Sequence, residues 1–187
     1  MRFLGEDRPY IVFVGKLSTR RNIPVLIEAF AKVKRRTRIP HALLFVGPNH
    51  MGLPLDDLVR RHGMQGDVIH TDGRFASHAE VPPIYGSADL YVNASSYEGF
   101  SMTLVEALSC GTPVVTVNRA ALAEIAAGAA EFVDEPAPDA VADAIERVLT
   151  DADLRKSLSE RGYRRADAFR WNVTASQTLD VLRKVAA

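Results

Sequence analysis

Short apolar segments alternate regularly with longer amphipathic segments along this chain of 187 residues. The apolar segments are hydrophobic throughout and not on one face only, which is typical of parallel strands covered by helices on both sides. The predicted strands are 10–15, 41–47, 67–71, 89–94, 113–117 and 130–134. The predicted helices are 23–37, 53–63, 78–87, 101–110, 119–127, 138–150, 151–168 and 172–186. The alternation therefore predicts a three-layer α/β fold with a doubly wound six-stranded parallel sheet of the Rossmann-like type.

Composition excludes several classes of protein. The 23 basic residues balance the 23 acidic ones, so no overall positive field favours nucleic acid, and we expect no nucleic-acid partner. The single cysteine, Cys110, cannot form an internal disulfide, which favours a reducing, cytoplasmic location. No apolar segment approaches the roughly 20 residues of a membrane-spanning helix. The five histidines show no spacing typical of metal ligands.

The loop after the first strand, 15–22, reads GKLSTRRN. Ligands of doubly wound sheets bind beyond the carboxyl ends of the strands, so this loop is a candidate binding segment. It lacks the G-x-G-x-x-G pattern of nicotinamide-binding domains, which disfavours a dinucleotide oxidoreductase. Its cations Lys16, Arg20 and Arg21 precede a helix, where positive charge opposes the helix dipole. We interpret Lys16 as a ligand for an anion and Arg20 as a solvated surface charge.

A second candidate segment follows the fourth strand and reads SSYEGFSMTLVEALSCGTPVV. The N–H groups from about Gly99 to Thr103 lie at a helix start and form a potential anion site, and Gly99 allows a turn and close approach of a ligand. Glu106, one turn further on, suits a hydroxyl donor such as a ribose. On spacing alone, a structural role for both glutamates stays open as an alternative to ligand binding. In this alternative, Glu98 stabilises the helix N-terminus, and Glu106 pairs with Arg119 or faces solvent.

These residues form the frame E-G-F-S-x-x-x-x-E-A followed by C-G-T-P-V-V. The frame resembles the C-terminal, donor-binding half of the retaining GT-B glycosyltransferases of group 1, also called family 4. Further matches are Gly15-Lys16, Arg21-Asn22, Tyr85-Gly86-Ser87-Ala88-Asp89 and Phe169-Arg170-Trp171. The resemblance spans nearly the whole chain and implies transfer of a sugar from a nucleotide-diphosphate sugar to an acceptor, with retention of the anomeric configuration.

The resemblance also implies a role for each matching residue. Lys16 and Arg21 neutralise the diphosphate and stabilise the leaving group, while Glu98 binds hydroxyls of the transferred sugar; these are the expected catalytic residues. The expected donor-binding residues are Gly15, Gly99, Phe100, Ser101, Met102, Thr103, Glu106 at the ribose, and Gly47, Arg74 and Phe75 near the base. No metal and no cofactor are expected, because the cations replace the divalent ion of other transferase folds.

Several positions depart from the family pattern. Lys16 stands where arginine is more frequent, and Arg21 stands where lysine is more frequent. Arginine and lysine bind phosphate differently. Ser101 replaces a common glycine, and Ala94 and Ala123 stand where proline is frequent. These departures leave the base, the sugar and the acceptor open.

The resemblance covers only one half of a GT-B enzyme. We therefore interpret 1–9 as a linker, 10–171 as the nucleotide-sugar-binding domain, and 172–187 as a helix that packs on a missing N-terminal acceptor-binding domain. Without that domain, the chain is expected to bind donor but to be inactive alone. The apolar face of the final helix, with Val173, Leu179 and Leu182, is expected to be partly exposed.

Other interpretations remain beside this one. A basic segment could contact the inner face of a membrane peripherally; its cations are Lys32, Lys34, Arg35, Arg36 and Arg38. On the same fold, the chain could instead be a non-catalytic nucleotide-binding or interaction module. It could also be half of a sugar-nucleotide epimerase or a glycosyl phosphorylase.

Overall fold

A computed structural model of the chain describes residues 8–72 and 78–186. Its strands are β1 Tyr10–Val14, β2 Ala42–Val46, β3 Val68–His70, β4 Leu90–Asn93, β5 Val114–Val117 and β6 Glu131–Val133. These strands pair in parallel in a single six-stranded sheet of order β3-β2-β1-β4-β5-β6. The order reverses between β1 and β4, so the predicted doubly wound sheet is confirmed.

Helices cover both faces of the sheet. They are α1 Ile23–Thr37, α2 Leu55–Arg61, α3 Val81–Gly86, α4 Met102–Ser109, α5 Ala120–Ala126, α6 Pro138–Thr150, α7 Ala152–Ala166 and α8 Trp171–Ala186. Helix α1 packs against α6, and α4 packs against α7. In the part of the chain that the structure describes, no helix is both long enough and apolar enough to cross a bilayer.

Burial of the strands follows the sequence pattern. Every residue of β1, β2, β4 and β5 is buried, whereas the edge strand β3 is half-buried. Phe13 of β1 and Phe45 of β2 pair in register and their rings meet edge to face at 5.7 Å. Such strands require apolar cover on both faces, and α1 supplies part of it through Leu26, Ile27 and Phe30.

The folded domain begins before the first strand. The guanidinium of Arg8 donates to the Pro40 carbonyl oxygen at 2.6 Å and forms an ion pair with Asp67. Arg8, which lies in the segment 1–9 interpreted as a linker, therefore contacts the folded domain. The rest of that segment, 1–7, lies outside the described residues.

Asp67 is expected to stabilise the fold at neutral pH and to lose this effect in acid. Burial alone would raise the pKa of its carboxyl, but hydrogen bonds from Arg8 and Lys34 outweigh burial and lower it. A carboxyl with a lowered folded-state pKa stabilises the fold above its unfolded-state pKa, and this stabilisation is lost as the pH falls through the folded-state pKa. We expect Asp67→Asn to lower the free energy of unfolding by about 1 kcal/mol near neutral pH and by less at an acid pH, below the unfolded-state pKa of about 3.9.

Urea unfolding at the two pH values measures this difference. Asp57→Asn is the control, since Asp57 forms an exposed pair with Arg60 on the surface of α2 and should change stability little at either pH. An equal loss for Asp67→Asn at both pH values would contradict the ion-pair explanation.

Helix α8 has no buried residue. Leu179 and Leu182 are exposed and Val173 is half-buried, so the predicted exposure of this apolar face is confirmed. The helix begins at Trp171, one residue earlier than predicted, and the Trp171 side chain is itself exposed.

Candidate functional site

Two loops meet at the carboxyl edge of the sheet, where β1 and β4 are neighbours. We call 15–22 the cationic loop and 95–101 the acidic turn. The side-chain amide of Asn22 donates to the Ala94 carbonyl oxygen at 2.7 Å and to Ser96 Oγ at 2.8 Å. These bonds join the cationic loop to the acidic turn, so the two predicted segments form one surface.

Glu98 lies at the centre of this surface. Ser95 Oγ donates to its Oε1 at 3.0 Å, and Arg21 Nε lies 3.6 Å from the same oxygen. Arg20 Nη1 lies 3.4 Å from Oε2. Only 11% of the Glu98 side chain is exposed. One hydroxyl and two guanidinium groups therefore hold this carboxylate in place.

Arg20 departs from its sequence-based interpretation. It was expected to be a solvated surface charge, yet it pairs with Glu98 and also donates to the Tyr97 carbonyl oxygen. Its side chain is still 49% exposed. The charge pattern alone did not show that Arg20 joins Arg21 at Glu98, because this contact depends on the short 3-10 turn Thr19–Arg21 and on how the two loops meet.

The third cation of the loop, Lys16, differs from Arg20 and Arg21. Lys16 is exposed and forms no ion pair with any described residue. Arg21 instead lies against the sheet, where its guanidinium carbon is 6.0 Å from the centre of the Phe13 ring. A Cβ at Gly15 would overlap the Arg21 guanidinium. Gly15 thus leaves room for Arg21, and Lys16 stays available for an anion.

Gly47 is required where the loops after β1 and β2 touch. Its φ is +132°, which side-chain-bearing residues rarely adopt, and a Cβ there would overlap the Gly15 carbonyl oxygen. The Gly47 carbonyl oxygen lies 2.7 Å from His70 Nε2. The predicted base contacts Arg74 and Phe75 lie outside the described residues.

Several backbone N–H groups lie at the start of helix α4. Ser101 Oγ accepts a hydrogen bond from the Leu104 N–H at 3.4 Å and so caps the helix. The N–H groups of Phe100, Ser101, Met102 and Thr103 find no acceptor within the described chain. N–H groups of this kind are the donors that the predicted anion site at a helix N-terminus requires.

Gly99 and Met102 lie at the same helix start. The Met102 side chain is half-exposed. Gly99 does not have a positive φ, so the turn itself does not require glycine there. No atom of the described residues would lie within 4 Å of a Cβ at Gly99, which leaves the space that close approach of a ligand would need.

Glu106 accepts a hydrogen bond from a buried tyrosine. The Tyr85 hydroxyl donates to Glu106 Oε2 at 3.0 Å. Burial, assisted by Tyr91 and Glu106, raises the pKa of the Tyr85 hydroxyl far above its usual range, so this hydroxyl remains a donor at physiological pH. Arg119 pairs with Glu135, and the alternative of a pair between Glu106 and Arg119 is therefore wrong.

A groove of about 890 Å³ extends from Glu106 to the start of α8. Its volume lies within the range typical of small-molecule sites. Thr103 and Phe100 line it from α4 and the acidic turn, and Phe169 and Trp171 line it on the α8 side. The Phe100 and Phe169 rings meet edge to face at 5.9 Å. The motif around Phe169 was noted in the sequence, but its contact with the acidic turn was not predicted.

The basic segment of α1 is largely paired. Lys32 and Arg36 form ion pairs with Asp139 of α6, and Lys34 pairs with Asp67. The other cations of this segment, Arg35 and Arg38, are exposed. Among residues 8–72 and 78–186, no group of three or more His, Cys, Asp or Glu side chains is placed to hold a metal ion.

Comparison with known proteins agrees with this geometry. Residues 2–165 match the family described as glycosyl transferases group 1. The O-antigen chain mannosyltransferase B of Escherichia coli is 29% identical over 177 residues, which cover 93% of this chain and 45% of that protein. The fold resembles that of sucrose-phosphate synthase from Thermosynechococcus elongatus, with a TM-score of 0.84 and 25% identity over 96% of this chain and 46% of the other.

The fold is also similar to that of HepE from Anabaena, solved in complex with UDP-glucose. The TM-score is 0.81, with 20% identity over 95% of this chain and 49% of the other. The chain thus spans about half the length of these proteins. With the family match extending over most of its length, the chain belongs to the group 1 glycosyltransferases.

Proposed function

We propose that this chain binds the nucleotide-diphosphate sugar of a retaining glycosyltransferase, which transfers the sugar to an acceptor. The observation that carries the proposal is the surface formed by the cationic loop and the acidic turn. There Lys16, the N–H groups at the start of α4 and the carboxylates Glu98 and Glu106 belong to one edge of the sheet, and neither Lys16 nor these N–H groups have a partner among the described residues. This combination matches the distinct needs of a diphosphate and two sugars.

The diphosphate is assigned to the positive part of this surface. Lys16 supplies a mobile point charge, and the N–H groups of Met102 and Thr103 supply oriented donors at the positive end of α4. Arg21 adds a second cation beside Gly15. Negative charge that develops on the leaving nucleoside diphosphate would be stabilised by the same groups, so no divalent ion is needed in this proposal.

The two acids are assigned to the two sugars. Glu98 is held by Ser95, Arg20 and Arg21, and a carboxylate with a fixed orientation suits hydroxyls of the transferred sugar. Glu106 lines the large groove and is oriented by Tyr85, which suits the hydroxyls of the ribose. We assign the base to the space near Gly47, next to a separate groove of about 720 Å³ that Asn49, His70 and Asp72 help to line. 

The complete enzyme is proposed to need a second domain. The exposed apolar face of α8 and the partial coverage of the relatives support an acceptor-binding N-terminal domain that packs there. The free thiol of Cys110 fits a cytoplasmic location. The ion pairs of Lys32, Lys34 and Arg36 with acids disfavour a membrane contact through these cations.

Calorimetric titration tests the proposal. The chain is titrated with UDP, GDP and ADP and with a sugar nucleotide of each. We expect one base to bind at least about tenfold more tightly than the other two, as a pocket that hydrogen-bonds its ligand discriminates strongly. HepE was solved with UDP-glucose, so the uridine compounds are titrated first. No binding of any of these compounds to the folded chain would refute the donor site.

Glu106→Ala is expected to weaken binding through the ribose. A hydrogen bond to a charged group contributes enough that its loss lowers the affinity by about tenfold or more. The affinity for the 2′,3′-dideoxy analogue of the same nucleotide should not change, because that analogue lacks the hydroxyls. Titration of both ligands measures the difference, and Glu124→Ala, which removes an exposed carboxylate from α5, is the control. Equal affinity of Glu106→Ala and the unaltered chain for the ribonucleotide would exclude the ribose assignment.

A further inference from the structure

A polar side chain is buried at the end of an otherwise apolar strand. Asn93 is the last residue of β4 and is 3% exposed. An apolar side chain would fill such a position without the cost of removing an amide from water. The Asn93 amide is instead hydrogen-bonded on both sides: Oδ1 accepts from the Ser95 N–H at 2.9 Å, and Nδ2 donates to the Tyr91 hydroxyl at 3.3 Å.

Two of the hydrogen bonds link Asn93 to Glu98 through Ser95. The Ser95 N–H is held by Asn93, and Ser95 Oγ donates to Glu98 Oε1 at 3.0 Å. Ser95 is fully buried, so its hydroxyl has a fixed direction. Asn93 therefore contacts Glu98 through a single intervening residue.

The other hydrogen bond of Asn93, to Tyr91, links it to the start of α4. The Tyr91 hydroxyl is 2.9 Å from Thr103 Oγ1, which is 3.4 Å from Ser101 Oγ. Burial raises the pKa of Tyr91 to about 12, so its hydroxyl stays neutral at physiological pH. Asn93 thus lies between the carboxylate assigned to the sugar and the N–H groups assigned to the diphosphate.

We propose that Asn93 is a positioning residue for Glu98. Arg20 and Arg21 attract the Glu98 carboxylate from the cationic loop, and the Ser95 hydroxyl holds it from the sheet side. By fixing Ser95, Asn93 keeps Glu98 oriented toward the sugar of the donor. When the Ser95 anchor is lost, Glu98 pairs more closely with the half-exposed Arg20, and the sugar hydroxyls lose their acceptor. The inference rests on the proposed donor site and adds to it a residue outside the E-G-F-S frame.

The neighbouring strand supplies a matched control. Thr116 of β5 pairs in register with Asn93 and is fully buried. In the described chain its hydroxyl has no hydrogen-bond partner. Thr116→Val therefore removes a buried polar atom next to Asn93 without breaking a bond of this network.

The test compares affinities for a nucleoside diphosphate and for its sugar nucleotide. UDP with UDP-glucose, GDP with GDP-mannose and ADP with ADP-glucose are titrated into the chain, and the tightest pair is carried to the variants. We expect Asn93→Leu and Glu98→Gln each to lower the affinity for the sugar nucleotide by about tenfold. Both should change the affinity for the nucleoside diphosphate by less than about twofold, and Thr116→Val should change neither. If the role of Asn93 is purely structural, Asn93→Leu should lower the affinities for the nucleoside diphosphate and the sugar nucleotide equally.

The titrations test the donor site, the role of Glu98 and the role of Asn93 separately. If no pair binds, the donor site itself is refuted, and the inference with it. If Glu98→Gln leaves the sugar nucleotide unaffected, the role of Glu98 is wrong and nothing remains for Asn93 to position. If Glu98→Gln has the expected effect and Asn93→Leu does not, only the inference about Asn93 is overturned. Should Asn93→Leu fail to fold, Ser95→Ala decides, because unchanged sugar-nucleotide affinity in Ser95→Ala would overturn the proposed anchor.

Discussion

Replacing Gly47 with alanine is expected to lower the free energy of unfolding by about 4 kcal/mol. Its φ of +132° disfavours a side chain, which costs roughly 1–3 kcal/mol. The added Cβ would also overlap the backbone carbonyl of Gly15, and forcing such a contact apart costs roughly 1–3 kcal/mol more. The loops after β1 and β2 would have to separate, and with them the cationic loop would move. Chemical denaturation measures the loss.

Alanine substitution at a second glycine, Gly52, gives the cost of backbone strain without the overlap. Gly52 has a φ of +64°, yet in the part of the chain that the structure describes no atom would lie within 4 Å of a Cβ there. Gly52→Ala should therefore cost only the backbone strain, about 1 kcal/mol. If Gly47→Ala is no more destabilising than Gly52→Ala, the close approach of Gly47 to Gly15 does not support the cationic loop as described.

Lys16→Ala is expected to lower the affinity for a nucleoside diphosphate by about 30-fold, the effect of losing a charge-assisted hydrogen bond to phosphate. Lys16 has no acidic partner among the described residues, so its loss should leave the free energy of unfolding almost unchanged. Titration calorimetry gives the affinity, and raising the salt concentration should reduce the difference between the two proteins.

Arg35→Ala provides the matched loss of one positive charge. Arg35 is exposed in the last turn of α1, whereas Lys16 precedes the start of that helix. The two positions are therefore separated by about the length of α1. If Arg35→Ala weakens binding as much as Lys16→Ala does, the effect of Lys16 is one of overall charge, and the diphosphate assignment to the cationic loop fails.

The sheet was predictable because each strand is apolar on both faces. Only a sheet covered by helices on both sides buries such strands, and the alternation with helices makes them parallel. The ends of the elements were less predictable. Helix α2 starts at Leu55 and not at Leu53, because the Asn49 side chain accepts from the Leu53 N–H and donates to the Leu53 carbonyl oxygen. Such bonds between a side chain and a nearby backbone compete with the helix but leave little trace in periodicity.

The candidate site could be predicted where a motif names its residues and not where tertiary contacts select them. Lys16, Glu98 and Glu106 follow from their frames. The contact of Arg20 with Glu98 depends on how the two loops meet, and the bond from Tyr85 to Glu106 joins two different helices. The hydrogen bonds of Asn93 to Tyr91 and Ser95 likewise follow only from the folded chain.

The central claim is that one edge of the sheet binds a nucleoside diphosphate between the cationic loop and the start of α4. A crystal structure of the chain with the diphosphate selected by titration tests this most directly. We predict phosphate oxygens within about 3 Å of Lys16 Nζ and of the Met102 and Thr103 N–H groups, with a ribose hydroxyl on Glu106. A nucleotide bound elsewhere, with Lys16 and the start of α4 making no contact to it, would contradict the account.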